Sequence, residues 1–548
     1  GIVCRQDFEG KKDVLGMRVT WDKRYITLAP VATLLGLAFR LYDPDHLLGD
    51  QEDLGITLAL IPTDTPGVNI GRRHYPLNVV FMNGPTSGND VFIPMDWIIG
   101  GQERAGQGWR MLMECLADGR GISLPALSVG AGKLISRAVG GYARVRRQFK
   151  LPIGRFEGVE EALARIGAYT YMMDAARGLT AVALDRGEKP SVISAIVKYH
   201  LTEGMRRVIN DGMDILGGAG ICLGPRNYIA RAYESTPISI TVEGANILTR
   251  TMIIFGQGAI RSHPYIFREL EALGMDDPDE SLENFDRALF SHMLFTTKNL
   301  LRSLFHGLTG ARFVWVSGRR PTRRYYQHLT RMSAAFALMT DVALMTLGGA
   351  LKRKEKLSGR LGDILSQLYL ASACLKRFDD LGRPREDEPL LHWCCQHTLF
   401  EIQRAFDGLL QNLPNRPIAW IMRWMVFPLG QHFKAPDDKL GHQIATLLIY
   451  PGEARERLTE GMYQPQASDE PLQRIEDALH KVIAAEPIEK RLRDKMPDYE
   501  QDYHGLEGLL QAAVKQAIIS EQEAETVRTA DAARRDVIQV DDFGPDLK

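Results

Sequence analysis

At Gly106 the hydrophobic pattern of this chain changes period, and that change constrains the fold more than any other feature. Before it, up to about residue 105, apolar residues come in short runs: "DVLGMRVTW", "YITLAP", "GITLALIP" and "NDVFIPMDWIIG". The runs are rich in Ile, Val, Leu and Thr, and Gly, Pro, Asn and Asp separate them, so residues 1–105 are predicted to be β structure. "PTSGND" reads as a turn cluster between two runs. After Gly106 the period is helical. "GWRMLMECLADGRGISLPALSVGAGKLISRAVGGYARVRRQF" is one long pattern, and "EEALARIGAYTYMMDAARGLTAVALDRG" is a second, stopped by Gly187 and Pro190. "SVISAIVKYHLTEGMRRVINDGMDILGG" is a third, with Ser191 placed to cap it and Gly217-Gly218 placed to end it. Long helices with short connections imply an up-down bundle over residues 106–262.

Beyond Pro264 helical patterns continue to the end, starting with the capping pattern of "PDESLENFDRALFSHMLFTTKNLLRSLFHGL". The fold class expected is therefore mainly α with a small β part: a β domain over 1–105, a helical bundle over 106–262 and an all-α extension over 263–548. A chain of 548 residues is too long for one core. Its first residues are already strand-like, which predicts that a natural N-terminal region precedes Gly1. The nearest approach to a membrane span is "SAAFALMTDVALMTLGGA", Ser333 to Ala350. Asp341, two threonines and two glycines interrupt it, so a buried bundle helix is expected.

The formal net charge of −1 provides no global field for nucleic acid or anionic lipid, so any basic patch must be local. Six cysteines, mostly inside apolar stretches, suit reduced thiols in the cytoplasm. Three short motifs fail on inspection. "LGGAGICLG" follows a helix where a dinucleotide fingerprint follows a strand, and "VGAGKLIS" has Leu127 and Leu134 where a phosphate loop needs Gly and Ser or Thr. "HWCCQH" has no second pair at zinc-site spacing, so no metal is expected.

One carboxylate stands out. In "ITVEGANILTR", Glu243 sits in an apolar, β-branched run directly before Gly244. Buried Glu is rare unless paired or working, and desolvation raises a carboxyl pKa towards that of a useful base. Taken alone, the residue reads as a strand-end or turn glutamate, with Gly244 supplying the turn.

Several motifs in order place it in context. "TWDKRYITLAPVA", the run from "VFIPMDWIIGG" into "ECLADGRGISLPALSVG", "RRQFKLPIGRFEGV", "MDILGGAG" and "VEGANILTR" together resemble the acyl-CoA dehydrogenase family over residues 1 to about 260. The all-α extension, with "GQGAIRSHPYIFREL" at its junction, is similar to that of the large bacterial fatty-acid-oxidation type. The resemblance begins inside the family's middle β-domain and implies its C-terminal four-helix bundle. It implies FAD as cofactor, contacted by Tyr25, Ile26 and Thr27 at the ring. Arg146, with Gln148 and Phe149, and the pair Gly217 and Gly218 would hold a neighbouring subunit's flavin, and Ala245 and Asn246, next to the base, would also contact the cofactor. Arg120, Asp118 and Gly244 would contact the acyl-CoA, and Glu243 would be the catalytic base. Four positions depart from the family pattern: Lys150 replaces a glycine, Glu157 and Asp214 replace glutamines, and Ala245 replaces a threonine.

The reaction implied is α,β-dehydrogenation of a fatty acyl-CoA in β-oxidation, by a homo-oligomer that passes electrons to an electron-transferring flavoprotein. An acyl-CoA oxidase, or a non-catalytic helical assembly or membrane-docking subunit, would share much of this sequence. "RPIAWIMRWMVFPLGQHFK" and "RFVWVSGRRPTRRYYQ" mix tryptophans with arginines. They read either as core helix and solvated loop or as a peripheral contact with the inner face of a bacterial plasma membrane.

Overall fold

The computed structural model describes residues 1–258, 263–496 and 505–546. It divides into two compact units, Gly1–Gly119 and Arg120–Lys548.

The first unit is built on a six-stranded sheet in the order β4-β3-β1-β2-β6-β5. Its strands are β1 (Ile2–Phe8), β2 (Lys11–Thr27), β3 (Leu34–Tyr42), β4 (Asp53–Pro62), β5 (Val68–Ile70) and β6 (Asn83–Pro94). Neighbours are antiparallel except β1 and β3, which meet in parallel at Ile2 and Tyr42. Val3, Met17, Val19, Leu41, Ala59, Ile61 and Ile93 form its fully buried centre.

The structure corrects the sequence reading in three places. "DVLGMRVTW" and the start of "YITLAP" belong to one strand, β2. A register shift between Lys23 and Ile26, with Tyr25 at φ 62°, absorbs the extra residues as a bulge. "PTSGND" is no turn but the middle of β6. The Trp21 indole lies where a side chain at position 88 would be, 2.2 Å from an ideal Cβ, so only glycine fits there. The indole Nε1 donates to Thr86 Oγ1 at 3.3 Å, and Asp90 takes a left-handed backbone. Turn-type residues here serve a bulge and an aromatic contact. Finally, β3 ("LLGLAFRLY") pairs with β4 along its length, although it was not among the runs read as strands.

The boundary between the units falls inside α1 (Gly108–Val145). The bundle continues with α2 (Glu157–Asp185), α3 (Ser191–Leu216), α4 (Gly218–Ile221) and α5 (Ala230–Thr241). A turn then leads to α6 (Asn246–Leu248), which runs directly into a π-helix, Thr249–Gln257. Ser191 is the first helical residue of α3 but makes no cap hydrogen bond, and Gly217, at φ 56°, ends the helix.

The extension contains α7 (Ile266–Leu273), α8 (Pro278–Leu308), α9 (Arg323–Leu347), α10 (Glu355–Asp380), α11 (Glu388–Asn412) and α12 (Arg416–Val426). After these come α13 (Asp438–Ile449), α14 (Glu453–Thr459), α15 (Pro471–Lys495), α16 (Gly505–Lys515) and α17 (Glu521–Ile538). The N-cap of α8 is Asp277, whose carboxylate accepts from the backbone N–H of Asp279 at 2.9 Å and of Glu280 at 3.2 Å. One apolar core runs through bundle and extension alike: Val139, Leu163 and Ile209 pack in one cluster with Leu338, Phe378, Phe406 and Leu448. The stretch Arg323–Arg353 is long and apolar enough to cross a membrane, but half of its apolar window is buried in this core. Asp341 within it is wholly buried and accepts from Thr296 Oγ1 at 2.7 Å.

Candidate functional site

Glu243 stands on a left-handed turn between α5 and α6, with φ 55° at Glu243 and 93° at Gly244. A left-handed non-glycine residue costs about 1–2 kcal/mol, so the turn persists only if its surroundings hold it. Two buried cations grip its carbonyls. Arg120 Nε donates to Glu243 O at 2.7 Å. Lys198 Nζ donates to Gly244 O at 2.7 Å, to Asn246 Oδ1 at 2.7 Å and to Ile240 O at 3.3 Å. Thr249 Oγ1 adds a second side-chain donor to Gly244 O at 3.1 Å. At Gly244 the positive φ strains any side chain, and an ideal Cβ would meet Thr249 Oγ1 at 3.3 Å and Arg120 Nη2 at 3.5 Å.

While the backbone of the turn is held, the Glu243 carboxylate is left open. Its Oε2 is buried and has no hydrogen-bond partner among the described residues. Burial raises its pKa above the ordinary carboxylate value, and the charges of Arg120 and Lys198 oppose that rise. Burial also brings the Lys198 ammonium down to about 8, against the pull of Glu243. A half-buried carboxyl with a raised pKa and a free acceptor atom is equipped to take a proton.

The structure gathers Arg120, Glu243, Gly244, Ala245 and Asn246 at one end of the bundle. Asn246 faces inward: Nδ2 donates to Thr202 Oγ1 at 3.0 Å and Glu203 Oε1 at 2.8 Å, which with the Lys198 bond engages both ends of its amide. The side chain of Asp118 lies outside the described residues. Tyr25, Ile26 and Thr27 belong to the other compact unit. Tyr25 is exposed on the β2 bulge with its ring 5.4 Å from that of His74, while Ile26 and Thr27 pair with Gly84 and Asn83.

The remaining candidates lie at the opposite end of the bundle. Gly217, just past α3, lies about 28 Å along that helix from Lys198, and Arg146, just past α1, about 39 Å from Arg120, at 1.5 Å per residue. Tyr142, just before Arg146, and Leu216, just before Gly217, line one small cavity, so these two helix ends are neighbours. Arg146 Nη1 donates to Tyr142 Oη at 2.6 Å. Gln148 lies in a two-stranded hairpin, Arg147–Gln148 with Leu151–Pro152, whose turn residues Phe149 and Lys150 have φ 50° and 67°. Lys150 thus adopts the conformation for which glycine is suited at this place. Phe149 is 89% exposed, and the space around the Cβ positions of Gly217 and Gly218 is open.

Lys198 was missed in the sequence, although a lysine inside "SAIVKYHL" on a helix is a signal that its ammonium has an interior task. Elsewhere, His263, His292 and Asp341 bring three ligand-type atoms within 4.8 Å. His263 Nδ1 already accepts from the backbone N–H of Ile266 at 3.2 Å, which leaves a protonated Nε2 facing Asp341 at 2.9 Å. A metal would have to reverse that tautomer.

Two family models match the chain: acyl-CoA dehydrogenase, C-terminal domain, over residues 106–255, and acyl-CoA dehydrogenase, C-terminal, bacterial type, over residues 260–543. The chain belongs to the acyl-CoA dehydrogenase family. Among curated proteins it is 24% identical to the probable acyl-CoA dehydrogenase FadE10 of Mycobacterium tuberculosis (strain ATCC 25618 / H37Rv) over 383 residues, 65% of this chain and 55% of that protein. It is 65% identical to protein HemX of Proteus mirabilis over 103 residues, 19% of this chain and 61% of that protein. The chain thus spans little more than half the length of these relatives. Among solved structures it resembles an acyl-CoA dehydrogenase complexed with FAD from Bacillus anthracis, with a TM-score of 0.61 at 20% identity. That match covers 82% of this chain and 72% of the other, and it establishes a shared fold.

Proposed function

We propose that this chain carries the base of an FAD-dependent acyl-CoA dehydrogenase that acts on fatty acyl-CoA in β-oxidation. The observation that carries the reading is the unpartnered Oε2 of Glu243, on a strained turn whose carbonyls two buried cations hold. The α hydrogen of the thioester leaves as a proton, and Glu243 accepts it. Gly244, without a side chain, leaves the acyl chain room beside the carboxylate. Arg120 and Lys198 fix the turn through backbone carbonyls, so the carboxylate is aimed without being hydrogen-bonded out of use. Bound FAD would supply the acceptor for the β hydrogen, which leaves as hydride.

The residues present fit that cofactor. Arg146 offers a guanidinium suited to a diphosphate, and the open Gly217-Gly218 turn lets a ligand approach backbone closely. By the helix rise they lie about 28 Å or more from Lys198 and Arg120, which hold the Glu243 turn, so one flavin cannot use both ends of one copy. The reading therefore includes a homo-oligomer, in which the base end of one copy and the far end of a neighbour share a flavin. An electron-transferring flavoprotein is the proposed electron acceptor. The full-length protein is expected to show a flavin spectrum that acyl-CoAs of graded chain length bleach. Arg146→Ala should lower FAD retention and oligomer stability together. A full-length protein without flavin, or an Arg146→Ala variant with both properties intact, overturns the respective part.

We also propose a peripheral membrane contact on the inner face of a bacterial plasma membrane. Its support is exposure: Trp420 is 74% and Trp424 51% exposed, while Ala419, Met422 and Val426 on the same helix face inward. Helix α12 lies against α8, where Ser303 Oγ donates to Met425 O at 3.3 Å. Exposed Leu301 and Phe305 lie on that part of α8, and the Phe305 ring is 6.3 Å from that of exposed Phe313. Arg319, Arg320 and Arg323 follow in the same loop and helix start. Aromatic and basic groups of this kind favour a lipid interface. The protein should co-sediment with anionic vesicles, and a folded Trp420→Ser, Trp424→Ser variant should not. A parent protein that stays in the supernatant, or a variant that binds as well as the parent, overturns the contact.

A further inference from the structure

We propose that the cleft between α2, α3, α10 and α11 is a binding site for a small phosphorylated, hydroxyl-bearing metabolite. The cleft has a volume of about 530 Å³, within the usual range for a small-molecule site. It draws residues from the bundle and from the extension, and it is separate from the face of α3 that holds the Glu243 turn.

The charge on its walls is unbalanced in a specific way. Four arginines and three carboxylates line it. Each carboxylate is occupied. Asp363 accepts from Arg250 Nε at 2.7 Å, Glu401 from Arg404 at 2.8 Å, and Glu203 from Asn246 Nδ2 at 2.8 Å. Two arginines remain. Arg207 donates to the Tyr169 hydroxyl and lies 5.1 Å from the centre of that ring, with no carboxylate partner among the described residues. Arg360 makes no hydrogen bond and no ion pair among the described residues. Two unpaired guanidinium groups on one cleft match a dianion, and the planar fork of each matches the oxygens of a phosphoryl group.

Deeper in, the groups are neutral and polar. Gln367 is 9% exposed, and its Oε1 is buried without a hydrogen-bond partner among the described residues. His200 Nε2 is likewise buried and unpartnered among the described residues. Burial holds the His200 imidazole near a pKa of about 4, so at neutral pH it carries no charge. A buried acceptor left unpaired costs about 1–3 kcal/mol. A ligand hydroxyl that donates to Gln367 Oε1 relieves that, while an all-apolar ligand does not. The combination of a phosphoryl anion at the arginines and hydroxyls towards Gln367 defines the ligand class.

The cleft also reaches the base turn through one side chain. Glu203 lines it and accepts from Asn246, whose Oδ1 accepts from Lys198, whose ammonium holds Gly244 O.

The test is calorimetric titration of the purified protein with glycerol 3-phosphate, inorganic phosphate and malonate, and it does not depend on the dehydrogenase reading. Saturable binding of glycerol 3-phosphate is expected, tighter than that of phosphate or malonate. Arg360→Gln and Arg207→Gln, which break no ion pair, should each keep the parent's melting temperature and bind at least about tenfold more weakly. Absence of saturable binding, preference for malonate, or unchanged affinity in both variants overturns the proposal.

Discussion

Glu243→Gln, made in the full-length protein, should keep FAD and acyl-CoA bound yet reduce the flavin about 10²–10⁴-fold more slowly, the usual loss when a general base is removed. The substitution keeps the size of the side chain and leaves the backbone turn to Arg120 and Lys198, which hold carbonyls and not the carboxylate. Any large effect is therefore chemical. The pH profile gives a second signature. Burial raises the Glu243 pKa, so in the parent the reduction rate should climb with pH through a value above the ordinary carboxylate range. The base must lose its proton to act, so the low-pH limb belongs to Glu243 and should vanish with it. Stopped-flow flavin bleaching across pH decides the matter. A variant that bleaches at close to the parent rate would show that Glu243 is not the base.

Lys198→Met is the second large effect. Lys198 is wholly buried and donates to three acceptors, of which Asn246 Oδ1 has no other donor among the described residues. Removing the ammonium leaves buried acceptors unpaired, and a loss of about 2–4 kcal/mol of stability is expected. The effect on rate follows from charge. With its pKa near 8, Lys198 is an ammonium below that pH and holds the turn. Above it, a neutral amine has one donor fewer for the same three acceptors. The parent's reduction rate should fall as pH rises through about 8, and Lys198→Met should lack that limb while running slower at neutral pH. Denaturant unfolding gives the first quantity and stopped-flow the second. An upper limb that survives the substitution would assign it to another group.

Much of the helical architecture was legible because long helices repeat their signal over many turns. The sheet was harder to read. β2 and β6 carry Arg24, Asn89 and Asp90 at bulges, so composition there marks irregularity within a strand and looks the same as a turn between strands. Glu243 was legible as a candidate only through its motif. Nothing local in "VEGAN" shows that the glutamate takes a left-handed backbone or that its carbonyl meets an arginine 123 residues away. Lys198 escaped for the same reason: its three acceptors lie 42 to 48 residues further on, and only folding brings them to it. Trp420 and Trp424 illustrate the opposite limit. Their pattern is amphipathic, but whether the aromatic face is covered depends on neighbours that no local window contains.

The apolar cluster that runs without a break from Leu163 and Ile209 to Phe378 and Leu448 has an evolutionary meaning. An extension joined to a bundle by a linker can be gained or lost as a cassette. One that shares the bundle's core cannot, because its departure would uncover α2 at Gly167, which now faces Ile444, Leu448 and Leu390. Substitutions on the inner faces of α10 and α13 are thus substitutions in the core that carries the Glu243 turn. The two parts of this chain can drift in sequence only in step.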